Sequence, residues 1–168
     1  MPIKLDELKQ LASKQLEISN QLRKEISTMP HKIKGNFIAF FDRQFDPTYK
    51  WNMSLKPLWS GFYIKYNNLE LMVDPGINIL ERAQRIGINL SKTNTLFISH
   101  AHIDHKNDAN VVSEMVAYRE NASLRILMSQ KSVDEKAMSH FHLSSNDKDR
   151  KNLIILDNFE EIDLGDKI

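Results

Sequence analysis

The sequence contains no cysteine. That excludes a disulfide framework, a thiolate zinc site and a cysteine nucleophile. Long apolar runs are missing as well. The longest, Phe37–Phe41, is five residues, whereas a spanning helix needs about 20, so no transmembrane segment is expected. The opening Met1-Pro2-Ile3-Lys4-Leu5-Asp6-Glu7 has no apolar core of a secretory signal. We read the chain as a cytoplasmic protein with no membrane partner. Charge of one sign is also lacking: 23 Lys and Arg stand against 22 Asp and Glu, a net +1. The broad basic footprint of a dedicated nucleic-acid binder is therefore absent. No internal repeat or low-complexity tract occurs.

What is present is an ordinary globular mix of 168 residues, 41% hydrophobic and 27% charged, enough for one domain or one domain with an appendage. Charge is distributed unevenly. Residues 1–58 hold ten Lys and Arg against six Asp and Glu, and residues 59–168 hold thirteen against sixteen. A mildly acidic second part suits a domain that gathers carboxylates around a cation better than one that grips a polyanion. We divide the chain there, into an N-terminal helix with an aromatic-rich extension (1–58) and a catalytic-type domain (59–168).

Residues 5–29 read as one amphipathic helix, with Leu8, Leu11, Ile18, Leu22, Ile26 and Met29 on one face, Gln15 interrupting it, and Pro30 ending it. Such a helix is expected to pack on its own domain. A partner or oligomerisation helix is the alternative, although three full heptads of apolar positions are absent. Residues 30–60 crowd Phe37, Phe40, Phe41, Phe45, Tyr49, Trp51 and Trp59 among polar residues, with Pro47 and Pro57. We expect irregular chain laid over the core there, with one wall of a substrate pocket as the alternative.

From Gly61 the pattern becomes regular. Phe62–Tyr66 and Leu69–Val73 flank Asn67-Asn68 and predict a hairpin. Asp74-Pro75-Gly76 is a turn. Helices are expected at 77–86, 107–120 and 130–141, and strands at 93–99, 124–128, 153–156 and 161–164. A hairpin followed by alternating helices and strands reads as an α/β layered fold.

The chemistry concentrates in Ser99-His100-Ala101-His102-Ile103-Asp104-His105. At this composition an H-x-H-x-D-H pattern arises by chance about once in 2,000 such sequences. The segment follows a strand, so His100 and His102 at i and i+2 project to one side and can share one ion. A turn at Ile103 sends Asp104 and His105 toward a second point. Imidazole and carboxylate without sulfur suit zinc, with manganese, iron and nickel as alternatives. The segment lies at the C-terminal end of a strand, where α/β folds place their sites.

Together with Val73-Asp74-Pro75-Gly76, which lies 26 residues upstream of His100 (counted from Asp74), this segment resembles the metallo-β-lactamase fold superfamily. The resemblance covers roughly residues 59–168. It implies an α/β fold, the first half of an αββα sandwich, preceded here by the N-terminal amphipathic helix. It also implies a hydrolase using two divalent metal ions, zinc foremost. His100 and His102 would bind the first ion and Asp104 and His105 the second. Asp104 would also orient or deprotonate the attacking water, and Asp74 would steady the ligands by hydrogen bonding. The family's site takes a third histidine, a bridging aspartate and a further histidine from downstream. Here only His140 and His142 follow, and both are expected to be polar residues at a helix end or on the surface. The chain is thus expected to supply two ligands per metal and to be inactive alone, with a C-terminal half or a partner chain completing the site.

Among the superfamily's substrates, the lack of cysteine argues against the β-lactam hydrolases that use one. A phosphodiester, with nucleic acid among the candidates, is the expected substrate. A small ester, lactone or thioester is the alternative, and a non-catalytic scaffold a second one. Asp108 is expected to cap the helix that follows it.

Overall fold

The computed structural model describes residues 5–41, 61–117, 123–144 and 151–156. Six strands form one sheet whose spatial order is the order along the chain. These are β1 (Phe37–Phe40), β2 (Phe62–Tyr66), β3 (Leu69–Val73), β4 (Thr95–Ile98), β5 (Leu124–Ser129) and β6 (Lys151–Leu156). β1, β2 and β3 pair antiparallel, and β3 to β6 run parallel. The helices are α1 (Leu5–Thr28), α2 (Ile79–Ile86), α3 (Ile103–Lys106), α4 (Ala109–Ala117), α5 (Gln130–Asp134) and α6 (His140–Ser144). None of the described helices is long and apolar enough to cross a membrane.

Alternation along the strands sorts the sheet into two faces. In register across all six strands, Ala39, Tyr63, Met72, Leu96, Ile126 and Leu153 form one row. Four of these, with Ile98, Leu124 and Met128, join a buried cluster with Ile79 and Ala83 of α2, Val112 and Val116 of α4, and Leu90. Each such side chain contributes about 1.5–3 kcal/mol when fully buried. The next row, on the opposite face, is Phe40, Phe62, Val73, Phe97, Leu127 and Ile154. It is apolar from edge to edge, and at β1 Phe40 is 68% exposed.

The expected hairpin is found. Asn67 adopts φ 49°, the left-handed value that a tight turn requires and that asparagine tolerates. α2 ends at Gly87, φ 82°, whose N–H donates to the carbonyls of Ala83 and Gln84. Four expectations need correction. Phe37–Phe40 is a strand, not irregular chain, because its backbone pairs with β2; the rest of that stretch, 42–60, and the strand expected at 161–164 lie outside the described residues. The helix expected at 107–120 begins earlier and is divided, α3 starting directly after His102 and α4 at Ala109. The helix expected at 130–141 is likewise two short ones, α5 and α6. The described side chains of the apolar face given for 5–29 are not buried: Ile18 and Leu22 of α1 and Met29 just after it are 42%, 50% and 54% exposed.

The segment after α1 is held to the sheet by a buried polar knot. The carboxylate of Glu70 accepts from the Tyr63 hydroxyl at 2.9 Å and meets His31 Nε2 at 3.0 Å and Lys65 Nζ at 3.2 Å. His31 Nδ1 accepts from the Asn89 N–H at 3.0 Å, so its proton sits on Nε2 and points at Glu70.

Asp108 behaves differently from expectation. Its carboxylate accepts from the N–H of Ile79 at 2.9 Å and therefore caps α2, 29 residues away, rather than its own helix. Asn78, at the N-cap position of α2, makes no side-chain cap bond, so Asp108 supplies the side-chain cap seen at this end of the helix. Asp108→Ala should lower stability by about 1 kcal/mol, read as a shift of the urea midpoint at unchanged slope.

Candidate metal centre

The site forms where the parallel strands β3 and β4 end. Two loops leave there, residues 74–78 after β3 and 99–102 after β4, and Asp74 ties the first to the second. Asp74 is 8% exposed and has φ 48°, a conformation that Asp and Asn adopt more readily than other residues with a Cβ. Its N–H donates to the Phe97 carbonyl at 2.9 Å, extending the β3–β4 pairing. Its carboxylate faces the second loop. Oδ1 accepts from the Ser99 N–H at 2.7 Å, and Oδ2 accepts from the Ser99 hydroxyl at 2.7 Å and from His105 Nδ1 at 3.0 Å. In the other direction, the Asp108 N–H donates to the Pro75 carbonyl at 2.9 Å, while the Asp108 carboxylate caps α2.

Gly61 lets β2 pass close to the same strand end. A Cβ there would lie 1.7 Å from the Val73 carbonyl oxygen and 2.6 Å from that of Asp74, so only glycine fits.

The three imidazoles come together. The His100 and His102 rings meet edge to face with centroids 4.5 Å apart, and His100 and His105 lie 4.0 Å apart with planes tilted by 47°. His102 is the last extended residue before α3, at φ −67° and ψ 146°. Asp104 and His105 sit in the first turn of α3, with Asp104 Oδ2 3.6 Å from His105 Nε2. His102 is exposed, whereas His100, Asp104 and His105 are half-buried. The structure therefore brings the His100 ring against those of His102 and His105, with Asp104 beside His105. Among the described residues no three His, Cys, Asp or Glu side chains converge closely enough to hold one ion.

The donor set fits a divalent ion in its chemistry. Because Asp74 receives the Nδ1 proton of neutral His105, the Nε2 lone pair of that ring is left bare beside the Asp104 carboxylate. Neither later histidine joins the cluster. His140 is exposed at the start of α6. His142, expected at the surface, is 6% exposed, with Nδ1 3.4 Å from Glu114 Oε1; it belongs to the packing of α6 on α4. Sequence reasoning assigned no role to Ser99 and could not see the distant partner of Asp108. The only signal for Ser99 was its place immediately before the motif.

Comparison with known proteins agrees with this architecture. The metallo-beta-lactamase fold protein YhfI from Bacillus subtilis superposes with a TM-score of 0.55 at 15% identity, over 79% of this chain and 50% of that one. The shared feature is the fold, an α/β metallo-β-lactamase fold. The uncharacterized protein MJ1374 of Methanocaldococcus jannaschii is 39% identical over 61 residues, which is 36% of this chain and 23% of that protein. The chain thus spans about half the length of its solved relative, and its match covers less than a quarter of the curated one. The family model of the anti-Pycsar protein Apyc1 matches residues 54–164, a stretch that holds both Asp74 and the histidine segment. With well over half of its residues inside that match, the chain belongs to the anti-Pycsar protein Apyc1 family.

Proposed function

We propose that this chain carries the first part of a metal-dependent hydrolase centre whose substrate is a phosphodiester. The observation that carries the reading is the Asp74 clamp, one buried carboxylate that orients His105 and fixes the loop bearing His100 and His102. Hydrogen-bonded imidazoles beside a carboxylate, at the C-terminal edge of parallel strands, are the arrangement expected of metal ligands. His100 and His102 would hold one divalent ion, and Asp104 with His105 a second. Zinc suits this sulfur-free set, as do manganese and iron.

A divalent ion held there supplies Lewis-acid stabilisation of the charge that develops on oxygen as water attacks phosphorus. The chain's own residues supply the rest. Asp74 stays buried and keeps the Nδ1 proton of His105 in place. Asp104, in the first turn of α3, accepts a hydrogen bond from the attacking water and takes its proton. His102 is the most exposed of the three rings. A working zinc centre keeps three protein ligands and an open position, so further donors come from beyond these four residues, from more of the same protein or from a partner chain. Membership in a family described as anti-Pycsar supports a role directed against another system, and a phosphodiester is the substrate class we propose for it.

The test uses the natural gene product that carries this chain. We expect about two transition-metal ions per chain and metal-dependent cleavage of bis(p-nitrophenyl) phosphate. His102→Ala should lower that cleavage by more than about 100-fold, beyond the 10–100-fold typical of losing a group that only supports a ligand. Trace metal content, or cleavage of carboxylic esters in place of phosphodiesters, overturns the reading.

A further inference from the structure

The Ser99 hydroxyl lies between two groups of the site. Its Oγ is 2.7 Å from Asp74 Oδ2 and 2.8 Å from His100 Nδ1. The direction of these bonds follows from counting protons. An ionised carboxylate only accepts, and a serine hydroxyl has one proton to give. The Ser99 proton is therefore committed to Asp74, and toward His100 the same oxygen offers lone pairs alone. A hydrogen bond at 2.8 Å then requires the proton of neutral His100 to be on Nδ1, which leaves Nε2 bare. His105 reaches the same state directly, since its Nδ1 lies 3.0 Å from the same Asp74 oxygen. The two rings that must present a lone pair to a cation, 4.0 Å apart between centroids, thus draw on one carboxylate.

We propose that Ser99 is a positioning residue that carries the hold of Asp74 one step further, to His100, and so sets Nε2 as the atom His100 presents to a divalent ion. The proposal rests on the metal-centre reading given above. Three features separate it from a merely structural role. The Ser99 backbone is anchored independently, its N–H donating to Asp74 Oδ1 at 2.7 Å, so loss of the hydroxyl leaves the loop clamp in place. Ser99 is exposed, so truncation opens no cavity. The hydroxyl hydrogen-bonds to the His100 imidazole, whereas His105 is held by Asp74 itself, so its removal should act chiefly on His100.

The experiment compares Ser99→Ala and Ser99→Thr with the unsubstituted natural gene product. Long-range ¹H–¹⁵N NMR of the imidazole nitrogens, recorded metal-free at about pH 8 where ordinary histidines are neutral, reports which nitrogen of each ring carries the proton. In the unsubstituted protein both His100 and His105 are expected with the proton on Nδ1. In Ser99→Ala, His100 should lose that preference while His105 keeps it, and Ser99→Thr should restore it. Zinc affinity, from competition with a chromophoric chelator, should fall about 10-fold in Ser99→Ala and recover in Ser99→Thr. An unchanged His100 tautomer in Ser99→Ala overturns the proposal, as does a change at His100 and His105 together. Failure of the unsubstituted protein to bind zinc overturns the metal-centre reading instead, and the tautomer readout then still decides the role of Ser99.

Discussion

Asp74→Asn is expected to weaken zinc binding by 10–100-fold, in the range for losing a group that orients a ligand, while costing only about 1–2 kcal/mol of stability. Position 74 has φ 48°, which asparagine tolerates as well as aspartate does. The backbone should therefore stay, and the side chain keeps its shape. What changes is the hydrogen-bond inventory. Asp74 accepts three bonds from Ser99 N–H, Ser99 Oγ and His105 Nδ1. Asparagine accepts on one oxygen and presents an NH₂ where the other stood. With the amide oxygen facing the Ser99 N–H, the NH₂ faces His105 Nδ1, which must give up its proton to become an acceptor. His105 then carries its proton on Nε2, and a protonated nitrogen cannot ligate. Chelator competition for zinc and a urea melt on the same protein separate the two effects. Equal losses in both, or unchanged zinc affinity, would show that the Asp74 charge does not govern the ligands. Asp74→Ala is the less informative variant, because alanine at this φ adds backbone strain to the lost hydrogen bonds.

Gly61→Ala is the substitution with the largest expected cost to the fold. The added methyl would stand 1.7 Å from one carbonyl oxygen and 2.6 Å from the next, and both belong to backbone that cannot swing aside as a side chain can. We expect a loss of more than about 3 kcal/mol, above the usual cost of overpacking. The control is Gly35→Ala. Gly35 also has positive φ, 77°, but nothing lies within 4 Å of the added carbon, so it should cost about 1 kcal/mol, the backbone penalty alone. Comparable midpoints for the two variants in a denaturant melt would mean that the approach of Gly61 to the end of β3 is not tight in solution. Because the obstructing oxygens are those of Val73 and Asp74, Gly61→Ala should also loosen the metal site in proportion to its effect on stability, unlike Asp74→Asn.

Features carried by short-range pattern were legible in the sequence. Phe62–Tyr66 and Leu69–Val73 show their hairpin through alternation around an asparagine pair, and Gly87 marks the end of α2. The histidine motif is legible because four metal-capable groups within six residues are rare by composition. The missed features depend on partners far along the chain. Phe37–Phe41 is a continuous apolar run with no alternation of its own, and its first four residues become a strand because they pair with β2. The Asp108 carboxylate has a helix of its own to cap, and only the tertiary arrangement places the bare N–H of Ile79 nearer. His142 is a polar residue in a polar segment, yet α4 packs over it and supplies Glu114. In the site, the members of the motif could be named, whereas the proton on each ring could not. That depends on Asp74 and Ser99 meeting across 25 residues.

Agreement between strand order in space and strand order along the chain has a consequence for how the molecule forms. Each described strand after β1, when it is synthesised, finds a partner already present at the growing edge, so the described strands pair with their neighbours in sequence. The β2–β3 hairpin can form first, and β4 completes the Asp74–Ser99 clamp when it docks. At that moment the loop carrying His100 and His102 is anchored, before β5 or β6 has been added. We expect folding in this order to anchor the histidine loop early, so that β5 and β6 assemble against ligands that are already held.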